Sequence, residues 1–141
     1  MRTALLVTAV VAVLLAAGSA TGSTTPPPIA TVVRHGGLCV TGSECRTVFR
    51  VTDRAISAPG YVSRRLAPSD RLALLRAIKL LNMPYLRAHP FTGTCPIAYD
   101  GSESIYRFRG FARPLAGCTY DLRGVRAVRV TERLLATLRP R

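Results

Sequence analysis

The chain has no tryptophan, a single lysine, two histidines and only seven acidic residues among its 141 positions. After the first 17 residues there is no apolar run near the roughly 20 residues that cross a bilayer, and no heptad or Gly-X-Y repeat. These absences exclude a multi-span membrane protein, a coiled coil and a collagen. Hydrophobic residues make up 48% of the chain, too many for a wholly disordered protein. The sequence therefore predicts one small domain, or one domain with a tail.

The N-terminal segment has the pattern of a secretory signal peptide. Arg2 precedes an apolar stretch, Ala4 to Ala17, and small residues follow at 18–20. The stretch is too short for a membrane anchor. We predict a signal peptide over residues 1–20, a Pro/Thr/Ser-rich spacer over 21–30 and a single domain over 31–141. The mature protein is then secreted and extracellular, with no membrane span.

Export makes disulfides the expected state of the four cysteines, which are Cys39, Cys45, Cys95 and Cys118. Four cysteines allow three pairings, and we favour the two local ones. Cys39 and Cys45 enclose a short segment that can turn at Gly42, whereas Cys95 and Cys118 flank a predicted hairpin. The sequence therefore predicts two disulfides.

The cysteines and histidines offer two other kinds of site. His35 lies four residues before Cys39, and His89 lies six before Cys95, so two Cys and two His are available to a zinc ion. The spacing lacks the C-x2-C pair that is typical of zinc sites. A Cys–His nucleophile needs a free thiolate, which an even cysteine count in a secreted chain disfavours. We therefore expect no metal site and no cofactor.

Periodicity predicts an α+β fold. One apolar stripe, with Leu74, Ile78 and Leu81, follows a proline at a helix start, Pro68. Elsewhere, alternating residues indicate strands. The predicted order is strand 46–52, strand 55–58, helix 68–81, loop 83–100, strand 102–109, strand 113–120 and helix 125–138. This ββα-loop-ββα order favours an antiparallel sheet of about four strands with two helices on one face.

One hexapeptide is the most informative string in the chain: Cys95-Pro96-Ile97-Ala98-Tyr99-Asp100. It resembles the reactive loop of the bacterial subtilisin-inhibitor family, secreted proteins of high-GC Gram-positive bacteria. That family has a Cys-Pro-x-x-Tyr-Asp motif after a helix, and the second of two following strands carries the partner cysteine. Residues 92–101 also look like a string in secreted proteins of the same bacteria for which no activity is known.

The resemblance implies a substrate-like inhibitor of an extracellular serine protease. It makes Ile97–Ala98 the target bond, puts Ile97 in the primary specificity pocket and puts Ala98 and Tyr99 on the leaving-group side. The whole reactive loop runs through Thr94, Cys95, Pro96, Ile97, Ala98, Tyr99 and Asp100. Such a loop must be exposed, extended and rigid, because preorganisation lowers the entropy cost of binding.

The charge balance supports a second function. Lys and Arg number 20 against seven acids, and 19 of the 20 are arginine. A secreted or cell-envelope protein that binds anionic polymers through this surface is the alternative. The weak anion-binding candidates are Arg64, Arg65, Arg126, Arg129 and Arg133.

The sequence has no motif that indicates nucleic-acid binding or catalysis. No nucleic-acid-binding signature accompanies the arginines. Gly-x-Ser-x-Gly, His-Glu-x-x-His and glycine-rich phosphate loops are absent from the sequence. We therefore expect a binding protein that is not an enzyme and that does not bind nucleic acid.

Overall fold

The computed structural model describes residues 26–37 and 45–141. The predicted signal peptide, half of the predicted spacer and Cys39 lie outside these ranges. Within them, no helix combines the length and hydropathy that a membrane span requires.

Two antiparallel sheets are present in the described part of the chain. The larger has six strands in the order β5-β3-β2-β1-β6-β7, and the smaller pairs β4 with β8. The strands are β1 (Ala30–Gly36), β2 (Arg46–Val51), β3 (Ala55–Ser57), β4 (Tyr61–Val62), β5 (Arg64–Arg65), β6 (Ser102–Phe108), β7 (Leu115–Ala116) and β8 (Arg139–Pro140).

Local sequence signals set the starts of the first two helices. Helix α1 (Pro68–Lys79) begins at a proline and carries Asp70 in its first turn, where the helix dipole favours an anion. Helix α2 (Met83–Ala88) follows Asn82, whose side chain accepts a hydrogen bond from the Tyr85 N–H. Helix α3 (Arg126–Leu135) comes last and precedes β8.

The core lies between one face of the six-stranded sheet and the helices. Alternate residues of the strands point into it, as Val32, Phe49 and Phe108 do, and Leu74 of α1 and Leu134 of α3 meet them from the helical side. The opposite faces of the same strands carry half-buried and exposed residues. Helices α1 and α3 both contribute to this core and contact each other. The larger sheet is therefore covered on one face.

The α+β class and the antiparallel sheet are confirmed, but the predicted strand count is wrong. The central strand β1 was missed because Val33, on the open side, is apolar like Val32, so the period of two is obscured. Ile29 and Ala30 were assigned to the spacer, yet both are fully buried. The Ile29 N–H donates to the Val51 carbonyl at 2.7 Å, which fixes the start of the domain before residue 31.

The predicted loop over residues 83–100 also needs correction. It contains α2 and a 3-10 turn at Pro96–Tyr99. Pro84 lies in the first turn of α2, where a missing N–H breaks no hydrogen bond. The predicted second hairpin strand over 113–120 shortens to Leu115–Ala116, which still pairs antiparallel with β6.

Candidate functional site

The predicted reactive loop is tied to the sheet as expected. Cys95 and Cys118 form a disulfide with their Cα atoms 5.3 Å apart, so this predicted pairing is confirmed. The other predicted pair includes Cys39, which lies outside the described residues. Cys118 follows β7, so the bond connects the loop to the end of the β6–β7 hairpin.

The shape of the loop differs from the prediction. Pro96–Tyr99 forms a 3-10 turn, not an extended segment. The Ala98 N–H donates to the Cys95 carbonyl at 3.0 Å, and the Gly101 N–H donates to the Pro96 carbonyl at 2.8 Å. Proline fixes φ near −65°, a value that suits a helical first turn as well as an extended chain. The residue type alone therefore did not decide the conformation.

Glycines allow the turn to sit against β1. A Cβ at Gly101 would come within 2.6 Å of the Pro96 carbonyl oxygen, and one at Gly36 within 2.6 Å of the Gly101 carbonyl oxygen. Gly36 also has φ +87°, which favours glycine. The turn is thus packed onto the end of β1 and held by backbone contact.

The loop is nevertheless exposed at its tip. The Ile97 side chain is 37% exposed, and Pro96 and Ala98 are exposed beside it. Thr94 and Asp100 are exposed as well, and Asp100 adopts a left-handed conformation with φ 56°. Ile97 therefore lies at the surface and not beneath the sheet.

A row of polar side chains lies under this loop and was not predicted. The register places His35 of β1 opposite Arg46 of β2 on one side and Glu103 of β6 on the other. Glu103 accepts a hydrogen bond from the Cys118 N–H at 2.9 Å. Its other carboxylate oxygen lies 3.1 Å from His35 Nε2. Sequence separations of 68 and 15 residues hid this arrangement, which only strand pairing creates.

The open sheet face is the side of the six-stranded sheet opposite the helices. Three exposed arginines lie on this face on the two strands that flank β1: Arg46 and Arg50 on β2, and Arg107 on β6. Thr31 is the register partner of both Arg50 and Arg107. A half-buried stripe of Val48, Val33 and Ile105 crosses the sheet beside them. A cleft of about 510 Å³ opens here, with Val33, Arg46, Ile105 and Arg107 in its lining.

Carboxylates that pair with arginine lie elsewhere in the described ranges. Asp53 binds Arg109 at 2.6 Å and Arg71 at 3.0 Å. Hydrogen bonding from Arg109, reinforced by Arg71, lowers the pKa of Asp53 against the opposing effect of burial. Hydrogen bonding from Arg123 lowers the pKa of the Asp121 carboxyl to about 2.

A third acid, Glu132 of α3, closes the end of the core. It pairs with Arg34 and accepts a hydrogen bond from the Tyr106 hydroxyl at 2.7 Å. Burial, followed by the bond to Glu132, raises the pKa of Tyr106. Arg34 also lies over the Phe49 ring, 5.0 Å from its centroid. The arginines of β2 and β6 on the open sheet face, in contrast, have no carboxylate of the described residues within 4.0 Å.

The arginines singled out from the sequence fall into two groups. Arg126, Arg129 and Arg133 are exposed along α3. Arg64 and Arg65 form β5 and line a groove whose other described lining residues are Val62, Ser63, Ala136, Thr137, Leu138 and Arg139. The structure thus does not gather the five predicted residues into one pocket.

Comparison with known proteins does not assign the chain to a family. No protein-family model, no curated protein and no solved structure matches the chain. The fold and the site define a small disulfide-stapled α+β domain with one sheet face covered by helices.

Proposed function

We propose that this protein is a non-enzymatic binding protein that holds anionic polymers on its open sheet face. The observation that carries the proposal is the set of three exposed arginines on the two strands that flank β1, with no carboxylate in reach among the described residues: Arg46 and Arg50 on β2, and Arg107 on β6. The acid in the same cross-strand row as Arg46 is Glu103, which already contacts His35 and the Cys118 amide.

The arrangement of these arginines suits a repeated anion. Arg50 and Arg107 lie on either side of the same β1 residue, so their backbones are about 10 Å apart, two strand spacings. Each guanidinium can bind a phosphate or carboxylate with two hydrogen bonds. The half-buried valine and isoleucine stripe offers an apolar surface to the carbon segments between the anions. A polymer with phosphate groups along an aliphatic backbone meets both requirements.

Three double variants of equal charge test this proposal. Arg50→Gln/Arg107→Gln removes the pair on the open sheet face, whereas Arg76→Gln/Arg87→Gln removes two exposed arginines from α1 and α2. Each protein is passed over an immobilised phosphate polymer in a salt gradient. The wild type should elute later than the open-face variant, and its retention should fall steeply with salt.

A third variant tests whether retention depends on where the arginines lie or only on the net charge of the protein. Arg126→Gln/Arg129→Gln removes two of the arginines predicted from the sequence. Equal losses in all three variants would show that total charge alone drives retention and would contradict the assignment of the open sheet face. A larger loss in the α3 variant than in the open-face variant would move the site to α3.

Inhibition of a subtilisin-type serine protease is the second proposal. Its support is the exposed Ile97 in a loop that a disulfide and two tight glycine contacts hold in place. A protease cleft binds its substrate extended, so the 3-10 turn must open. That opening breaks the Ala98–Cys95 and Gly101–Pro96 hydrogen bonds and raises the cost of binding.

A titration of subtilisin with the full chain tests inhibition. Stoichiometric loss of protease activity, abolished by Ile97→Gly and kept by Thr92→Gly on the same loop, is the expected result. Rapid cleavage at Ile97–Ala98, or no effect on the protease, would remove this candidate without touching the first.

A further inference from the structure

The cysteine end of the open sheet face gathers four groups that can bind a metal. The ligand atoms of Cys95, Cys118 and Glu103 all lie within 4.8 Å of one another. His35 Nε2 is 3.1 Å from a carboxylate oxygen of Glu103. We propose that reduction of the Cys95–Cys118 disulfide turns this cluster into a Zn²⁺ site with these four residues as ligands.

The backbone places three of the four groups, His35, Glu103 and Cys118, without help from the disulfide. His35 and Glu103 are register partners on neighbouring strands. The Gly117 N–H donates to the Ser104 carbonyl at 3.1 Å, and this contact continues the β6–β7 pairing and brings Cys118 beside Glu103. The Glu103 side chain is only 11% exposed, and the Cys118 amide fixes its orientation. Three of the four ligands are thus aligned before a metal arrives.

The donor set fits zinc in kind, and Cys95, Glu103 and Cys118 already lie within 4.8 Å of one another, whereas His35 must turn from Glu103 toward the sulfurs. Zn²⁺ prefers four tetrahedral ligands from thiolate, imidazole and carboxylate groups, at about 2.0 to 2.3 Å. Adjacent ligand atoms in such a tetrahedron are about 3.2 to 3.8 Å apart, close to the separation of His35 and Glu103. The two sulfurs must move apart when their bond is cut, and a reduced disulfide permits that movement.

The chemistry balances with a phosphine as reductant. The phosphine and one water cleave the S–S bond, which gives two thiols and a phosphine oxide. Zn²⁺ then displaces the two thiol protons, because only the thiolate is a ligand. Two thiolates and one carboxylate around Zn²⁺ leave one negative charge, and Arg46, the other register partner of His35, provides a nearby positive charge. The metal would connect the loop to the sheet as the disulfide does.

Cobalt absorption is the sharpest test. The full chain, reduced with a phosphine and freed of excess reagent, is titrated with Co²⁺ and then with Zn²⁺. We expect one tetrahedral Co²⁺ per chain with a thiolate charge-transfer band, displaced by one equivalent of Zn²⁺, and no such signal from the oxidised protein. Circular dichroism follows the fold throughout. Should the reduced chain unfold, Zn²⁺ must restore the fold.

Variants assign the ligands. His35→Ala and Glu103→Gln should each weaken Zn²⁺ binding at least tenfold, and Cys118→Ser should remove the charge-transfer band in large part. His89→Ala, an exposed histidine outside the cluster, should change nothing, and neither should Cys39→Ser/Cys45→Ser. Binding that survives His35→Ala and Glu103→Gln unchanged, that disappears in the Cys39/Cys45 variant, or that never forms after reduction would overturn the proposal.

Discussion

The two faces of the six-stranded sheet differ in burial and in how their polar groups are paired. The covered face is apolar, and its polar groups are satisfied: the Tyr106 hydroxyl donates to Glu132 and the Thr131 hydroxyl to the Ala127 carbonyl. No described buried side-chain nitrogen or oxygen lacks a hydrogen-bond partner. The open sheet face instead leaves Arg50 and Arg107 exposed without a counter-ion among the described residues. Apolar burial is concentrated on one face, and the exposed arginines of β2 and β6 lie on the other.

Truncation of matched apolar residues should give the largest difference. Leu74→Ala, at a fully buried site on the covered side, should lower the free energy of unfolding by about 2 to 5 kcal/mol. Ile105→Ala, at a half-buried site on the open side, should lower the free energy of unfolding by about 1 kcal/mol. The loss is smaller because folding removes less of the Ile105 side chain from water. Urea denaturation measures both. Equal losses would mean that the open sheet face is also core.

Removal of the Cys95–Cys118 disulfide should give the second-largest loss of stability. Cys95→Ala/Cys118→Ala removes a crosslink across 23 residues of sequence separation, which the chain-entropy model values at about 3 kcal/mol. The same variant should keep its retention on a phosphate polymer, because the arginines of the open sheet face stay in place. If retention falls with stability, the disulfide positions the binding surface and the comparison between the faces is too simple.

Glu132 tests the polar end of the covered face. Glu132→Ala leaves the buried Tyr106 hydroxyl and the Arg34 guanidinium without their acceptor, and we expect a loss of about 1 to 3 kcal/mol. Glu132→Gln, which keeps an acceptor for the hydroxyl, should cost less. Thermal denaturation distinguishes the two, and an equal cost would show that the charge of Glu132 matters more than its hydrogen bond.

The Asp53 ion pairs should add an acid-sensitive contribution of about 1 kcal/mol. The arginines lower its folded-state pKa below the unfolded value near 3.8. Their stabilisation is therefore complete above pH 3.8 and disappears as the pH falls through the lower folded-state value. Asp53→Asn should lower stability at neutral pH and flatten the acid limb of its pH profile. An unchanged acid limb would exclude Asp53 as its source.

The smallest stability effect should come from the open face. Arg50→Gln/Arg107→Gln should change the free energy of unfolding by less than about 0.5 kcal/mol, because neither arginine has an ion-pair partner in the described structure. Urea denaturation checks this value beside the retention assay. A larger loss would assign these arginines a structural role.

Much of the fold was predictable from local patterns. The stripe of Leu74 and Ile78, the proline at position 68 and the alternation in β6 predicted α1 and the sheet type. The strand β1 was not predicted, because apolar residues occupy both of its faces. The bond between Cys95 and Cys118 was predictable from their places on either side of a hairpin, whereas the 3-10 turn at residues 96–99 was not.

The sequence by itself determined the class of fold, one disulfide and the excess of arginine, because these depend on residue type and on neighbours within a few positions. The tertiary structure decided which arginines share a surface and which meet a carboxylate. It also decided that His35, Glu103 and Cys118 stand in one row. Strand register, set by the burial of one sheet face, brings together residues that no local pattern connects.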